Sequence, residues 1–160
     1  MPGQAVASAE IRPLGAQGVR AAVRLSDDYV LRSLRLISDM AGGELLTAIV
    51  FRAIVAGNIA HLDSNPAEAA QYSDLQCAPP DSLRRPVSVL SVANSLGLPY
   101  ETTRRHVRKL IQAGHCRRVA RGVIAPAAAL SGPEADAAML TNLANLRRLF
   151  RGLTKAGVSL

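Results

Sequence analysis

Apolar positions recur at helical spacing through most of the chain. Val30, Leu31, Leu34, Ile37 and Met40 follow Ser26-Asp27-Asp28, a capping hydroxyl with two acids suited to the positive first turn of a helix. This predicts a first helix over 26–41, closed by Gly42-Gly43. A second runs from Glu44 to about His61, with Leu45, Leu46, Ile49, Val50, Phe51, Ile54, Val55 and Ile59. So wide an apolar face calls for burial on most sides. Further on, Ser88 caps a short helix in which Val89, Val92, Ala93 and Leu96 sit at i, i+3, i+4 and i+7, and Gly97 stops it. Pro99 opens the next helix, to Ala113, with its φ already set, and Gly114 ends that one. Cys116–Val119 and Val123–Ala125 flank Ala120-Arg121-Gly122 as a two-stranded ribbon would. Gly132-Pro133-Glu134 then starts a last helix, with Met139, Leu140, Leu143, Leu146, Leu149, Phe150 and Leu153 along one side.

Elsewhere the pattern breaks. Residues 1–25 contain Gly3, Pro13, Gly15 and Gly18 without a sustained period, and read as a flexible N-terminal arm, although Val19 to Leu25 alternates weakly as a short edge strand would. Residues 63–86 hold Asp63-Ser64-Asn65-Pro66, Pro79-Pro80-Asp81 and Pro86, and read as an inserted loop or linker with a turn or two of helix around Ala67–Tyr72. The predicted organisation is therefore an arm (1–25), a helical pair (26–62), a linker (63–86), a helix-turn-helix with ribbon (87–130) and a C-terminal dimerisation helix (133–157). Leu45–Leu62 approaches membrane-spanning length. Arg52 sits mid-span, Asn58 and His61 follow, and no basic flank anchors either end, so a core or dimer helix is expected instead of membrane insertion.

Composition narrows the classes. The chain has 160 residues, 49% hydrophobic, mostly Ala, Leu and Val, and only 3% aromatic. That suits one helix-rich domain and leaves too few aromatics for a base-stacking platform. Cys77 and Cys116 dictate no disulfide, and the N-terminus lacks a charged start followed by an apolar run, so a reduced, cytoplasmic chain is expected. His61, His106, His115 and Cys116 match no metal-ligand spacing, so no metal and no cofactor are expected. Cys116 has two basic neighbours that could lower its pKa and make it a redox sensor, but a lone Cys opening a strand is more often core filler. Neither a phosphate loop, a nucleophile elbow nor a carboxylate pair is recognisable, so no catalytic residues and no enzyme are expected.

Charge is concentrated. The net +7 is distributed as −3 over residues 1–83, +8 over 84–121 and +2 over 122–160. A basic stretch of that kind suits a polyanionic partner. Within it, the wheel of the helix from Pro99 to Ala113 puts Thr103, Leu110 and Ile111 around Val107 as the packing face. Glu101, Thr102, Arg105, Lys109 and Gln112 fall opposite, Arg104 and Arg108 flank one edge, and His106 the other. Arg bonds guanine through O6 and N7 together, and Glu accepts from the cytosine amino group. Tyr100 and Thr102 lie where a helix N-terminus meets phosphate, while Arg117, Arg118 and Arg121 ride on the ribbon. Arg147, Arg148 and Arg151 read as a solvated face of the last helix.

The run Leu96-Gly97-Leu98-Pro99-Tyr100-Glu101-Thr102-Thr103-Arg104-Arg105-His106-Val107, continuing to Leu110 and Gly114, resembles bacterial winged helix-turn-helix transcriptional regulators. The resemblance covers about 40 residues. It implies a mainly α fold, a winged helix-turn-helix with a short β-ribbon wing and flanking dimerisation helices, in which 99–113 is the recognition helix and 115–125 the wing. Two positions depart from it: Thr103 stands where an apolar residue is usual, and Cys116 opens a short wing. With Glu44–His61 as the first core helix, the helices at 26–41 and 134–156 are left over, and pairing across a two-fold axis would bury their apolar faces. The expected partners are double-stranded DNA and a second copy of the chain, with room for an unidentified small-molecule effector and no membrane. The expected DNA-binding residues are Ser88, Tyr100, Glu101, Thr102, Arg104, Arg105, Arg108, Lys109, Arg117, Arg118 and Arg121. The alternative is a winged-helix interaction module whose basic face docks an acidic protein.

Overall fold

The computed structural model describes residues 16–158, so the part of the expected arm at 1–15 lies outside the described residues. The fold is mainly helical, with one two-stranded antiparallel sheet. Helix α1 spans Ala16–Met40 and α2 spans Leu45–Ile59, running on into a 3-10 turn at Ala60–Ser64. A short α3, Pro66–Gln71, follows behind an Asn65 side chain that accepts from the Ala67 N–H. Next come α4 (Val89–Leu96), α5 (Tyr100–Gln112), strands β1 (Arg117–Val119) and β2 (Gly122–Ile124), and α6 (Pro133–Lys155).

The first helix corrects the sequence reading. It begins at Ala16 and runs straight through Ser26-Asp27-Asp28, so residues 16–25 are neither an arm nor a strand. Tertiary packing decides this. Leu25 sits so close to α6 that a Cβ on Gly152 would come within 2.7 Å of its Cδ2. The Tyr29 hydroxyl donates to Asn142 Oδ1 at 3.4 Å, and Asp28 receives Arg32 Nε one turn along at 3.0 Å. Neighbours distant in sequence thus override a local start signal.

The core lies where α2 crosses α4, α5 and β2. Val50, Ile54, Val89, Val92, Val107, Leu110, Cys116, Val123 and Ala125 fill it. The expected capping is present: Ser88 Oγ accepts from the Ser91 N–H, and Gly97 ends α4 at φ +63°. The ribbon is extended by Val87, which exchanges both backbone hydrogen bonds with Val123, at 3.1 and 2.9 Å. Gly122 is needed there, because a Cβ would collide with the Val87 carbonyl. Asn58 clasps this edge to α2. Wholly buried, it donates through Nδ2 to the carbonyls of Arg85 (2.8 Å) and Val123 (3.1 Å) and accepts at Oδ1 from the Ala125 N–H (2.9 Å). Its amide is therefore satisfied at both ends.

Leu45–Ser64 is long and apolar enough to cross a membrane by length and composition. In the fold it is the central core helix, with Thr47, Ala48, Val50, Ile54 and Asn58 buried.

The two terminal helices were expected to bury their apolar faces across a two-fold axis. Within the chain they pack on each other, antiparallel: Leu25 meets Gly152, and Asp28 meets Arg148 at 3.5 Å.

Candidate nucleic-acid interface

Helix α5 is joined to α4 by Gly97, Leu98 and Pro99, and the Leu98 N–H bonds back to the Ala93 carbonyl at 3.0 Å. Its inner face is Thr103, His106, Val107 and Leu110, all buried, with Ile111 half-buried. Thr103 answers the departure noted at that position: it is wholly buried, and its hydroxyl donates to the Pro99 carbonyl at 3.2 Å, so the polar atom is satisfied within the helix.

His106 corrects the wheel, which placed it on an edge. It is 8% exposed, and its Nδ1 lies 2.8 Å from Thr47 Oγ1. That hydroxyl also donates to Glu44 Oε2 at 2.7 Å. One hydroxyl proton cannot serve both neighbours, so with the carboxylate taking it the imidazole proton belongs on Nδ1. Burial, followed by the charges of Arg105 and Lys109, holds the His106 pKa below its ordinary value. Glu44 in turn binds Lys109 Nζ through both oxygens, at 3.0 and 2.8 Å. The hydrogen bonds from Lys109 and then Thr47 draw its pKa down. A polar chain thus ties the start of α2 to the middle of α5.

The outer face of α5 presents Tyr100, Glu101, Arg105, Arg108 and Lys109 exposed, with Thr102 and Arg104 half-buried. The expected site residues divide by what already holds them. Arg104 Nη2 lies 2.6 Å from Glu101 Oε2, one turn back. Lys109 is held by Glu44. On the ribbon, Arg117 Nη2 reaches Asp81 Oδ2 at 2.8 Å. Asp81 also accepts from the Ala127 N–H at 2.7 Å, and that hydrogen bond is the main reason its pKa is lowered. Ser88 serves as the cap of α4. Arg105, Arg108, Arg118 and Arg121 are exposed and make no ion pair among the described residues.

The acids that hold Lys109 and Arg117 come from 65 and 36 positions away, in the segment that reads as net negative. No local pattern points to them. Cys116 is 2% exposed, and burial pushes its thiol up to about 12, so it is core filler despite its basic neighbours. His115 packs against Phe51, ring centroids 5.9 Å apart. Among the described residues no three His, Cys, Asp or Glu side chains converge as metal ligands would.

No protein-family model matches the chain, and no curated protein or solved structure is significantly similar to it.

Proposed function

We propose that the chain is a sequence-specific double-stranded DNA-binding protein of the winged helix-turn-helix type, acting as a homodimer to regulate transcription. On this reading α5 is the recognition helix and β1–β2 the wing. The observation that carries it is the set of four exposed arginines without acid partners among the described residues, Arg105 and Arg108 on α5 and Arg118 and Arg121 on the ribbon. They stand on elements whose opposite sides are fixed in the core by Val107, Leu110 and Val123. Guanidinium groups held on a rigid scaffold suit both base edges and phosphates. Arg105 faces outward near the middle of α5 and reads base edges; Arg118 and Arg121 grip the backbone.

Selection of random duplex DNA on the purified chain at about 150 mM salt tests this. The expected result is an enriched palindrome with half-sites about 10 bp apart. Retention without enrichment, vanishing steeply as salt rises, would reduce the basic face to an electrostatic surface and favour docking of an acidic protein instead.

A further inference from the structure

The antiparallel pair of α1 and α6 carries a second apolar face that no described residue covers. Val19, Val23 and Val30 are 46%, 54% and 45% exposed, and Met139, Leu143 and Phe150 are 43%, 41% and 49% exposed. Both sets follow the same four-then-seven spacing, the seam of helices that pack side by side.

The two seams lie on one side of the pair. Counting about 100° per residue from the inward Tyr29 and Asn142, Val30 and Leu143 each fall about a quarter-turn round in the same sense. In antiparallel helices that sense leads to the same side. The Asp28–Arg148 ion pair confirms the rule, since those residues fall a quarter-turn round in the opposite sense on their own helices and meet. A shallow groove lined by Ala144, Arg147, Phe150 and Arg151 runs beside the α6 seam.

We infer that this face is covered by a second copy of the chain, each copy's α6 lying on its partner's α1 to close a four-helix bundle. The inference rests on the homodimeric reading above and gives it an interface. Leu25 lies level with Gly152 and Asp28 with Arg148. By the same register Val30 is level with about Arg147, and Asp27 with about Phe150. A two-fold axis parallel to the helices therefore sets Val19, Val23 and Val30 against the Phe150 end of the partner's α6. It also places Asp27, at the outer edge of the α1 seam, beside the partner's Arg147 and Arg151. Asp27, Arg147 and Arg151 are all exposed, and none has an ion-pair partner among the described residues. The other two-fold arrangement, α6 on α6 and α1 on α1, would centre on the α6 seam and leave Val19 and Val23 beyond the end of the partner's α1.

Cysteine pairs test the arrangement in the full chain with Cys77→Ser, Cys116 being buried. Val30→Cys with Arg147→Cys should form a disulfide-linked dimer under mild oxidation, whereas Leu143→Cys alone should not, because a disulfide needs Cα atoms within about 7 Å. Sedimentation of Val23→Arg, a position exposed in the monomer, should show a monomer that still melts cooperatively, at a lower temperature than the wild-type dimer because the stabilisation by association is lost. Cross-linking of Leu143→Cys but not of the pair, or a dimer indifferent to Val23→Arg, overturns this interface and leaves the DNA reading standing. A wild-type chain that stays monomeric at about 100 μM yet enriches a duplex sequence overturns the interface and the homodimer together. A monomer that enriches none defeats the DNA reading as well.

Discussion

The unit formed by α2, α4, α5 and the ribbon differs from the α1/α6 pair in how completely it is finished. In the first, Val50, Ile54, Val107 and Val123 are at most 1% exposed, and the one buried amide, Asn58, has all its partners. In the second, no described side chain is buried, and six seam residues remain about half exposed although the helices pack closely at Gly152. The two have similar Leu, Val and Ala patterns. An apolar stripe tells that a face wants covering, but only the count of available neighbours tells whether the chain can cover it.

Substitutions should separate the two regions sharply. Ile54→Ala leaves a cavity in the finished core and should cost about 2–5 kcal/mol, read from urea denaturation. Leu143→Ala should change the stability of the monomer by no more than about 0.5 kcal/mol. Equal losses would abolish the distinction. Asn58→Leu keeps the volume but strands the Ala125 N–H and takes a donor from the Arg85 and Val123 carbonyls, the latter keeping only the Val87 N–H, and should cost about 2–3 kcal/mol. A neutral result there would mean that the clasp between α2 and the ribbon contributes nothing.

Function sharpens the contrast next. Arg105→Ala should weaken binding to the selected duplex by about 1–3 kcal/mol and relax one base position. Arg118→Ala should weaken all sequences alike and flatten the salt slope by about one. Identical behaviour of the two variants would refute the division between α5 and the ribbon.

His106 gives the finished unit a pH dependence just below neutrality, where the helix pair has no histidine to titrate. Its folded pKa is depressed, so as pH falls the unfolded chain takes the proton first. The stability tied to the neutral ring is full above the unfolded value of about 6.5 and is lost between that value and the lower folded one. Wild type should therefore lose more stability than His106→Gln between about pH 7.5 and pH 5. Parallel curves would show that the ring titrates freely. The smallest effect expected is that of Glu44→Gln, which frees Lys109 for phosphate and should tighten duplex binding a few-fold. Weaker binding would mean that the Glu44–Thr47–His106 chain positions α5 more than it withholds Lys109.

Much of the finished unit was legible because its signals are local. Ser88, Gly97, Pro99 and Gly114 mark the two short helices within a residue or so of their observed ends, and Gly122 marks the ribbon turn. The helical start at Ala16 was not legible, because residues more than a hundred positions away on α6 stabilise it. The candidate site was legible in which side of α5 packs. It was not legible in which cations are already held: Glu44 and Asp81 reach Lys109 and Arg117 only through the tertiary fold. For the same reason His106, an edge position on an isolated wheel, turns out to be buried against Thr47.

If Arg105, Arg108, Arg118 and Arg121 form the proposed DNA-binding face, their removal must show in the salt dependence of binding. The most direct test follows binding of a labelled duplex of about 30 bp by anisotropy across a salt series, for wild type and for the chain with all four replaced by Ala. With both proteins shown to melt alike, the replacement should flatten the slope of log K against log salt by about three and relax the base position that Arg105 reads. Unchanged affinity and slope would contradict it and move any DNA contact elsewhere on the molecule.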